Sequence, residues 1–189
     1  MSRLLSKKTT FARAGLLAGL ALGLACPAFA AGEASDETAP PPKTETTAKC
    51  TGGKVWDKKK KACVEPDQSG FNDDGLYEAA REFAYAGQYD NAIRVLQLAR
   101  NQDDPRILNY LGYANRKAGR MELGMSYYKR ALQADENYIL ARSYMGQALI
   151  EQGDVDGAKI QLVEIRDRGG EDSWAYRSLL QALNGYRSY

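Results

Sequence analysis

The sequence predicts an all-α fold built as an array of helix hairpins. Three observations carry this reading. Leu111-Gly-Tyr113 and Met145-Gly-Gln147 are 34 residues apart, and so are Gly119 and Gly153. A step of 32 residues towards the N-terminus reaches Ala80 and Gly87, followed by Tyr89-Asp90. Apolar residues recur at helical spacing within each unit, as in Leu108, Leu111 and Gly112, or Leu162 and Ile165. A helix hairpin with one apolar face cannot bury it alone, so a period of this length implies stacked neighbours.

The predicted helices run near 74–87, 90–101, 105–118, 121–134, 138–152 and 155–168, with a seventh from Asp172 or Ser173 to about Asn184. Gly87, Gly119 and Gly153 are placed to end first helices in the left-handed conformation. Asp90 and Asp154 open second helices as caps or first-turn acids. Small residues (Ala80, Gly112 and Gly146, with Ala92, Gly124 and Ala158) allow the paired helices to approach closely. The last helix carries Trp174, Leu179, Leu180 and Leu183 and suits the capping role that an array end requires. It also reads as a fourth repeat cut short.

Composition narrows the chemistry. The chain has 189 residues, 26% of them charged, and a mean hydropathy of −0.51. There is no histidine, which removes imidazole bases, histidine metal ligands and Ser-His or Cys-His nucleophiles. No nucleophile–base pair, metal spacing or phosphate loop is found, so neither catalysis nor a cofactor is expected. Four of the 26 basic residues (Arg3, Lys7, Lys8 and Arg13) precede Ala31 and no acidic residue does, which leaves 22 basic against 24 acidic beyond that point. A near-neutral chain of this kind gives no basis for nucleic-acid binding.

Residues 1–30 have the three parts of a secretory signal. A basic start leads into an apolar run, Ala14 to Ala25, and then to Pro27-Ala-Phe-Ala30. The run is about a dozen residues against the ~20 of a spanning helix. Cleavage after Ala30 and export, to the periplasm or beyond it, are expected. Cys26 follows Leu22-Gly-Leu-Ala25, where the leucine is one place off a lipobox.

Residues 31–48 are rich in Ala, Thr, Pro and Glu around Pro40-Pro-Pro42 and predict a flexible linker. Residues 49–66 form a small separate unit. Removal of the signal leaves two cysteines, and an even count in an exported chain implies the disulfide Cys50–Cys63. Gly52-Gly53 supplies a turn, Val55 and Trp56 favour a strand, and Asp57-Lys58 begins a second turn. Residues 67–72 join this hairpin to the array.

Cys50, Gly53, Trp56, Asp57, Cys63 and Pro66 are spaced as in the last cysteine-bridged hairpin of peritrophin-type chitin-binding modules, which this 17-residue stretch resembles. The resemblance implies that Trp56 is a platform for a sugar ring; the alternative is a tryptophan used for packing in a stapled hairpin. Lys58, Lys59, Lys60 and Lys61 read either as a solvated loop or as a contact for an anionic surface.

The array resembles the tetratricopeptide repeat. Leu108, Leu111, Gly112, Gly119, Gly124, Tyr128 and Ala131 carry the pattern in unit 105–138. Met145, Gly146, Leu149, Gly153, Ala158, Leu162 and Ile165 carry it in unit 139–172, and Leu76, Ala79, Ala80, Phe83, Gly87, Ala92, Leu96 and Ala99 in unit 73–104. The family tryptophan is missing, Asn115 stands at a tyrosine place, and the last two units lack the terminal proline. The resemblance implies a right-handed superhelix of about three hairpins, closed by residues 173–189 as capping helix and tail. It also implies a concave face lined by the first helices, on which Tyr77, Arg81, Arg106, Asn109, Tyr113, Arg116, Lys117, Ser143 and Gln147 would meet an extended peptide. Tyr77 and Tyr113 replace a lysine and an asparagine of the carboxylate clamp of co-chaperones, so that partner is not implied.

The expected function is a non-enzymatic exported scaffold that binds a protein or peptide. The alternative is an envelope tether, in which Trp56 and the lysines contact glycan, an anionic polymer or a membrane surface and the array serves as spacer.

Overall fold

The computed structural model describes residues 36–68 and 70–185. The predicted signal, the first part of the linker and the last residues of the tail lie outside the described residues. The described residues belong to one unit, Ser35–Tyr189. In chain order it contains α1 (Glu45–Lys49), β1 (Val55–Asp57), β2 (Ala62–Val64), a 3-10 turn (Pro66–Gln68), α2 (Asp73–Tyr85), α3 (Tyr89–Leu96), α4 (Pro105–Lys117), α5 (Met121–Ala134), α6 (Ile139–Glu151), α7 (Val155–Asp167) and α8 (Trp174–Leu183).

The helix starts follow from local chemistry. Asn72, Asp104, Asp154 and Ser173 accept hydrogen bonds from the backbone N–H groups of Gly75, Arg106, Gly157 and Tyr176. Pro105 then occupies the first turn of α4, where an N–H would have no partner. Asp90 is a first-turn acid of α3 rather than its cap. Gly119 and Gly153 end α4 and α6 with φ of 84° and 85°, a region closed to most side chains. Beyond each, an N–H closes back onto the helix: Arg120 onto the Asn115 carbonyl and Asp154 onto that of Leu149.

The second helix of the first unit is shorter than its period suggests, ending at Leu96 instead of near 101. Gln102 donates its side-chain amide to the carbonyls of Leu96 (3.0 Å) and Ala99 (2.7 Å). Asp73 accepts the N–H groups of Arg100 (2.8 Å) and Asn101 (2.9 Å). These side chains take over the backbone groups that another helical turn would have used.

Close approach is clearest at Gly112. A Cβ there would sit 2.6 Å from the Tyr128 ring, and one on Gly124 would sit 2.9 Å from the Gly112 carbonyl oxygen. Gly146 plays a different part from the one its alignment suggests. A Cβ added to it would sit 2.6 Å from the Leu179 side chain of α8, so α8 packs onto α6 as the next layer of the array.

The disulfide Cys50–Cys63 closes the segment around β1 and β2, which pair antiparallel with Val55 opposite Val64. The lysine run is the loop between the strands. Asp57 Oδ1 accepts the N–H groups of Lys59 (2.8 Å) and Lys60 (3.0 Å). This segment is docked, not tethered. Val55 enters the same apolar core as α2 to α4, and Arg94 of α3 donates to the Gly53 carbonyl at 2.7 Å.

The expectation of a flexible linker over 31–48 needs correction for its described part. Residues 36–44 run along the array and 45–49 are helical. The apolar content is indeed too low for a core, but threonine hydroxyls and backbone groups find charged partners on the array.

Gly112→Ala is expected to lower stability by about 1–3 kcal/mol, because the new methyl overlaps a fully buried tyrosine. Thermal unfolding followed by circular dichroism would measure it. An unchanged transition would mean that α4 and α5 are less tightly apposed.

Candidate functional site

The inward side of the first helices is a column of aromatic rings. Tyr77 meets Tyr110 edge-on at 5.5 Å between centroids. Tyr110 meets Tyr144 at 6.0 Å, and Tyr113 meets Tyr144 at 4.8 Å. Tyr85 stacks on Tyr113 at 5.6 Å and shares a 2.6 Å hydroxyl–hydroxyl hydrogen bond with Tyr144. Trp174 of α8 closes the column, 6.5 Å from Tyr85 and 6.3 Å from Tyr144. α2 and α4 contribute two rings each and α6 and α8 one each, which makes a continuous contact from α2 to α8. Burial pushes the hydroxyls of Tyr77, Tyr85, Tyr110, Tyr113 and Tyr144 above the ordinary tyrosine value, so all stay neutral.

Two arginines are set into this column. Arg116 is almost wholly buried. It ion-pairs with Glu151 at 2.7 Å, donates to the Tyr128 hydroxyl (3.3 Å) and Gln147 Oε1 (3.4 Å), and lies 5.7 Å over the Tyr113 ring. Arg81 donates to the Tyr110 hydroxyl at 3.2 Å and to both oxygens of Glu78 at 3.2 Å. Its remaining N–H groups reach across the groove to the carbonyls of Ala39 (2.9 Å) and Glu37 (3.4 Å).

The predicted ligand-facing residues are therefore in one place, but mostly not on an open surface. Tyr77, Arg81, Asn109, Tyr113, Arg116, Ser143 and Gln147 are all buried. Ser143 donates to the Ala175 carbonyl at 2.7 Å, and Gln147 donates to the Ser178 hydroxyl at 3.1 Å, so α8 covers both. Asn109 lies beside the Tyr138 hydroxyl without reaching hydrogen-bond geometry. Arg106 and Lys117 are half-exposed. Arg106 is held by Asp104 (2.7 Å) and Asp74 (3.0 Å), and Lys117 lies 6.0 Å over Tyr113. Seven of the nine expected contacts are covered, because repeat positions fix direction, not cover. What covers this face is α8 and the chain's own residues 36–39.

That cover was not legible from the repeat pattern. Asp36 Oδ2 accepts the N–H of Trp174 at 2.5 Å, at the start of α8, with Arg177 3.7 Å away. Thr38 Oγ1 accepts the N–H of Ala175 at 3.1 Å. Further along, Glu82 of α2 accepts the N–H and hydroxyl of Thr44 (2.8 and 2.5 Å) and the N–H of Thr47 (3.0 Å), along with the Thr47 hydroxyl. Partial burial works against ionisation of Asp36 and Glu82, yet these hydrogen bonds hold both below the usual carboxylate range. The only sequence hint was Thr-rich, acidic composition, which equally fits a solvated linker.

Trp56 and the first two lysines of the run border a second feature. A cleft of about 470 Å³ opens between Trp56, Phe71, Pro41, Pro42 and the exposed side of α2, with Lys58 and Lys59 on its lining. Lys49 lies 5.1 Å over the Trp56 ring. Lys60 pairs with Asp57 at 3.8 Å, and Lys61 is exposed with φ of 50°. Among the described residues there is no cluster of metal-ligating side chains and no helix long and apolar enough to cross a membrane.

The comparisons with known proteins agree with this architecture. The family model of the tetratricopeptide repeat matches residues 115–183, and that part of the chain is a tetratricopeptide-repeat segment. Among solved structures, the type III secretion translocator chaperone SycD of Yersinia enterocolitica is similar with a TM-score of 0.51 at 18% identity, over 60% of this chain and 87% of that one. MamA is similar with a TM-score of 0.50 at 20% identity, over 60% of this chain and 68% of that one. At these identities the likeness establishes the fold. No curated protein matches the chain.

The geometry has two measurable consequences. Arg116→Ala leaves the Tyr128 hydroxyl and Gln147 Oε1 without their buried donor and is expected to cost about 1–3 kcal/mol in denaturant unfolding. The pH response has a definite sign. Because Asp36 and Glu82 titrate lower in the folded chain, the stability they contribute is complete above the ordinary carboxylate range. It drains away as the pH falls through their lowered values, below about pH 4. Amide protection at Thr44 and Thr47 is expected to fall there while protection in α4 persists, and Glu82→Gln should show the lowered protection already at neutral pH.

Proposed function

We propose that this protein is an exported, non-enzymatic interaction scaffold whose repeat array takes an extended peptide of a protein partner along its first helices. The observation that carries the reading is that this groove already holds a stretch of the chain itself, turned at residues 36–39. Arg81 donates to two carbonyls of residues 36–39, and the start of α8 donates to Asp36 and Thr38. A groove that grips main-chain oxygens and a short acidic turn in its own polypeptide has the groups needed to grip them in another. The absence of histidine in the whole chain is consistent with a binding role. Export rests on the three-part pattern of residues 1–30 and on the paired Cys50 and Cys63, an arrangement suited to an oxidising compartment.

The cleft beside Trp56 favours a second reading, contact with an envelope glycan or an anionic polymer. Trp56 and Phe71 offer flat apolar surface, and Lys58 and Lys59 offer charge.

In-cell photo-crosslinking separates the two. A photoreactive residue at position 117, at the border of the groove, is expected to yield one discrete polypeptide adduct that position 160, an exposed site on α7, does not yield. If position 117 gives nothing while position 58 gives a glycan adduct, the groove reading is lost and the tether reading stands.

A further inference from the structure

We propose that residues Asp36–Pro42 are a built-in stand-in for the partner, so that the groove selects a peptide with an Asp-x-Thr-x-Pro element and becomes available when such a peptide displaces the chain's own copy. This rests on the reading of the groove as a peptide site.

The seated segment defines the chemistry. Asp36 folds the turn, accepting from the Thr38 N–H at 3.0 Å through Oδ1, while Oδ2 takes the first N–H of α8. Thr38 takes the next N–H of that helix. The positive end of a helix dipole and Arg177 favour a carboxylate at this point, and neither would favour a neutral or basic residue. Arg81 reads the main chain through the carbonyls of residues 37 and 39 and so accepts any side chain at those places. Pro40 to Pro42 then continue as a stretch with no N–H to satisfy and with restricted backbone freedom, which lowers the ordering cost of an extended ligand.

The same contacts are of an exchangeable kind. None of residues 36–43 is fully buried, and Glu37, Pro42 and Lys43 are exposed. Attachment is by hydrogen bonds and the Asp36–Arg177 ion pair, at partly exposed positions where water replaces them on release. Anchoring changes abruptly after this stretch. Thr46 and Cys50 are buried, Val55 joins the core, and Glu82 fixes Thr44 and Thr47. Release can therefore stop at Lys43 without disturbing the disulfide-closed unit. The receiving groups would keep their shape, since Arg81 stays clasped by Tyr110 and Glu78 and lies 5.4 Å over the Tyr77 ring. The segment also bridges Arg81 of α2 and Trp174 at the start of α8, so its exchange would alter the contact between α2 and α8.

A labelled peptide copying residues 35–43 (SDETAPPPK) tests this on the full chain. In the native chain the tethered copy competes at an effective concentration on the order of millimolar, so binding of the free peptide should be weak. The D36A/T38A chain is expected to bind it at least about tenfold more tightly. A peptide with alanine at both corresponding places should bind neither chain, and R81A should remove binding in the D36A/T38A background. Circular dichroism checks that each variant is folded. As a second measurement, excess peptide should speed amide exchange of residues 37–39 in the unaltered chain. Equal affinity of the native and D36A/T38A chains, no binding by a folded D36A/T38A chain, or its conversion to a dimer by light scattering would overturn the proposal. Adducts that persist from position 117 would then confine the failure to the stand-in, whereas their loss would remove the peptide-site reading as well.

Discussion

Two charged groups cannot be left without partners inside this molecule, and much of its organisation follows from how Arg81 and Arg116 are satisfied. A guanidinium taken out of water must find hydrogen-bond acceptors in several directions at once. Arg116 finds them on the next two helices, in the Tyr128 hydroxyl of α5 and in Gln147 and Glu151 of α6. This ties α4 and α5 to α6 independently of apolar packing. Arg81 has no equivalent set within the repeats. Tyr110 and Glu78 occupy part of its fork, and the rest is met by two carbonyls from residues 37 and 39. The first repeat is thus completed by a stretch of chain that precedes it.

The tyrosine column and the arginines are parts of one arrangement. Rings contribute flat area to helix packing, and their hydroxyls provide acceptors for the buried cations. Tyr110 and Tyr128 do both. Such a seam is apolar enough to be a core and polar enough to present directional groups at its edge. It is where a helical array acquires a sense of which chain may lie against it.

How much of this was legible in the sequence depends on what kind of force sets each feature. The turns at Gly119 and Gly153 and the bounds of α4 to α7 followed from backbone conformation and capping, which are local. The early end of α3 did not, because it depends on Asp73 reaching Arg100 and Asn101 from another helix. Repeat position identified Arg81, Tyr113 and Arg116 as inward-facing and correctly grouped them. It carried no information on whether that side stays open. Cover came from residues 36–39, in a stretch whose composition is that of a solvated linker. Their order comes from specific acceptors on α2 and donors on α8, and no periodicity encodes such contacts. The role of Gly146 escapes the alignment for a similar reason: its counterpart Gly112 faces a helix of its own unit, while Gly146 faces Leu179 in the layer beyond.

The position of Trp174 has an optical consequence. The chain contains two tryptophans, and this one sits within 6.5 Å of Tyr85 and Tyr144 at the end of the aromatic column. At such separations excitation absorbed by the tyrosines passes to the indole, so Trp174 collects light from the whole seam. Its backbone N–H is also the one that Asp36 occupies. With Trp56 replaced by Phe, the emission of Trp174 therefore reports at once on the integrity of the array and on whether the leading segment is in place. The protein carries its own probe of the groove, with no label to be added.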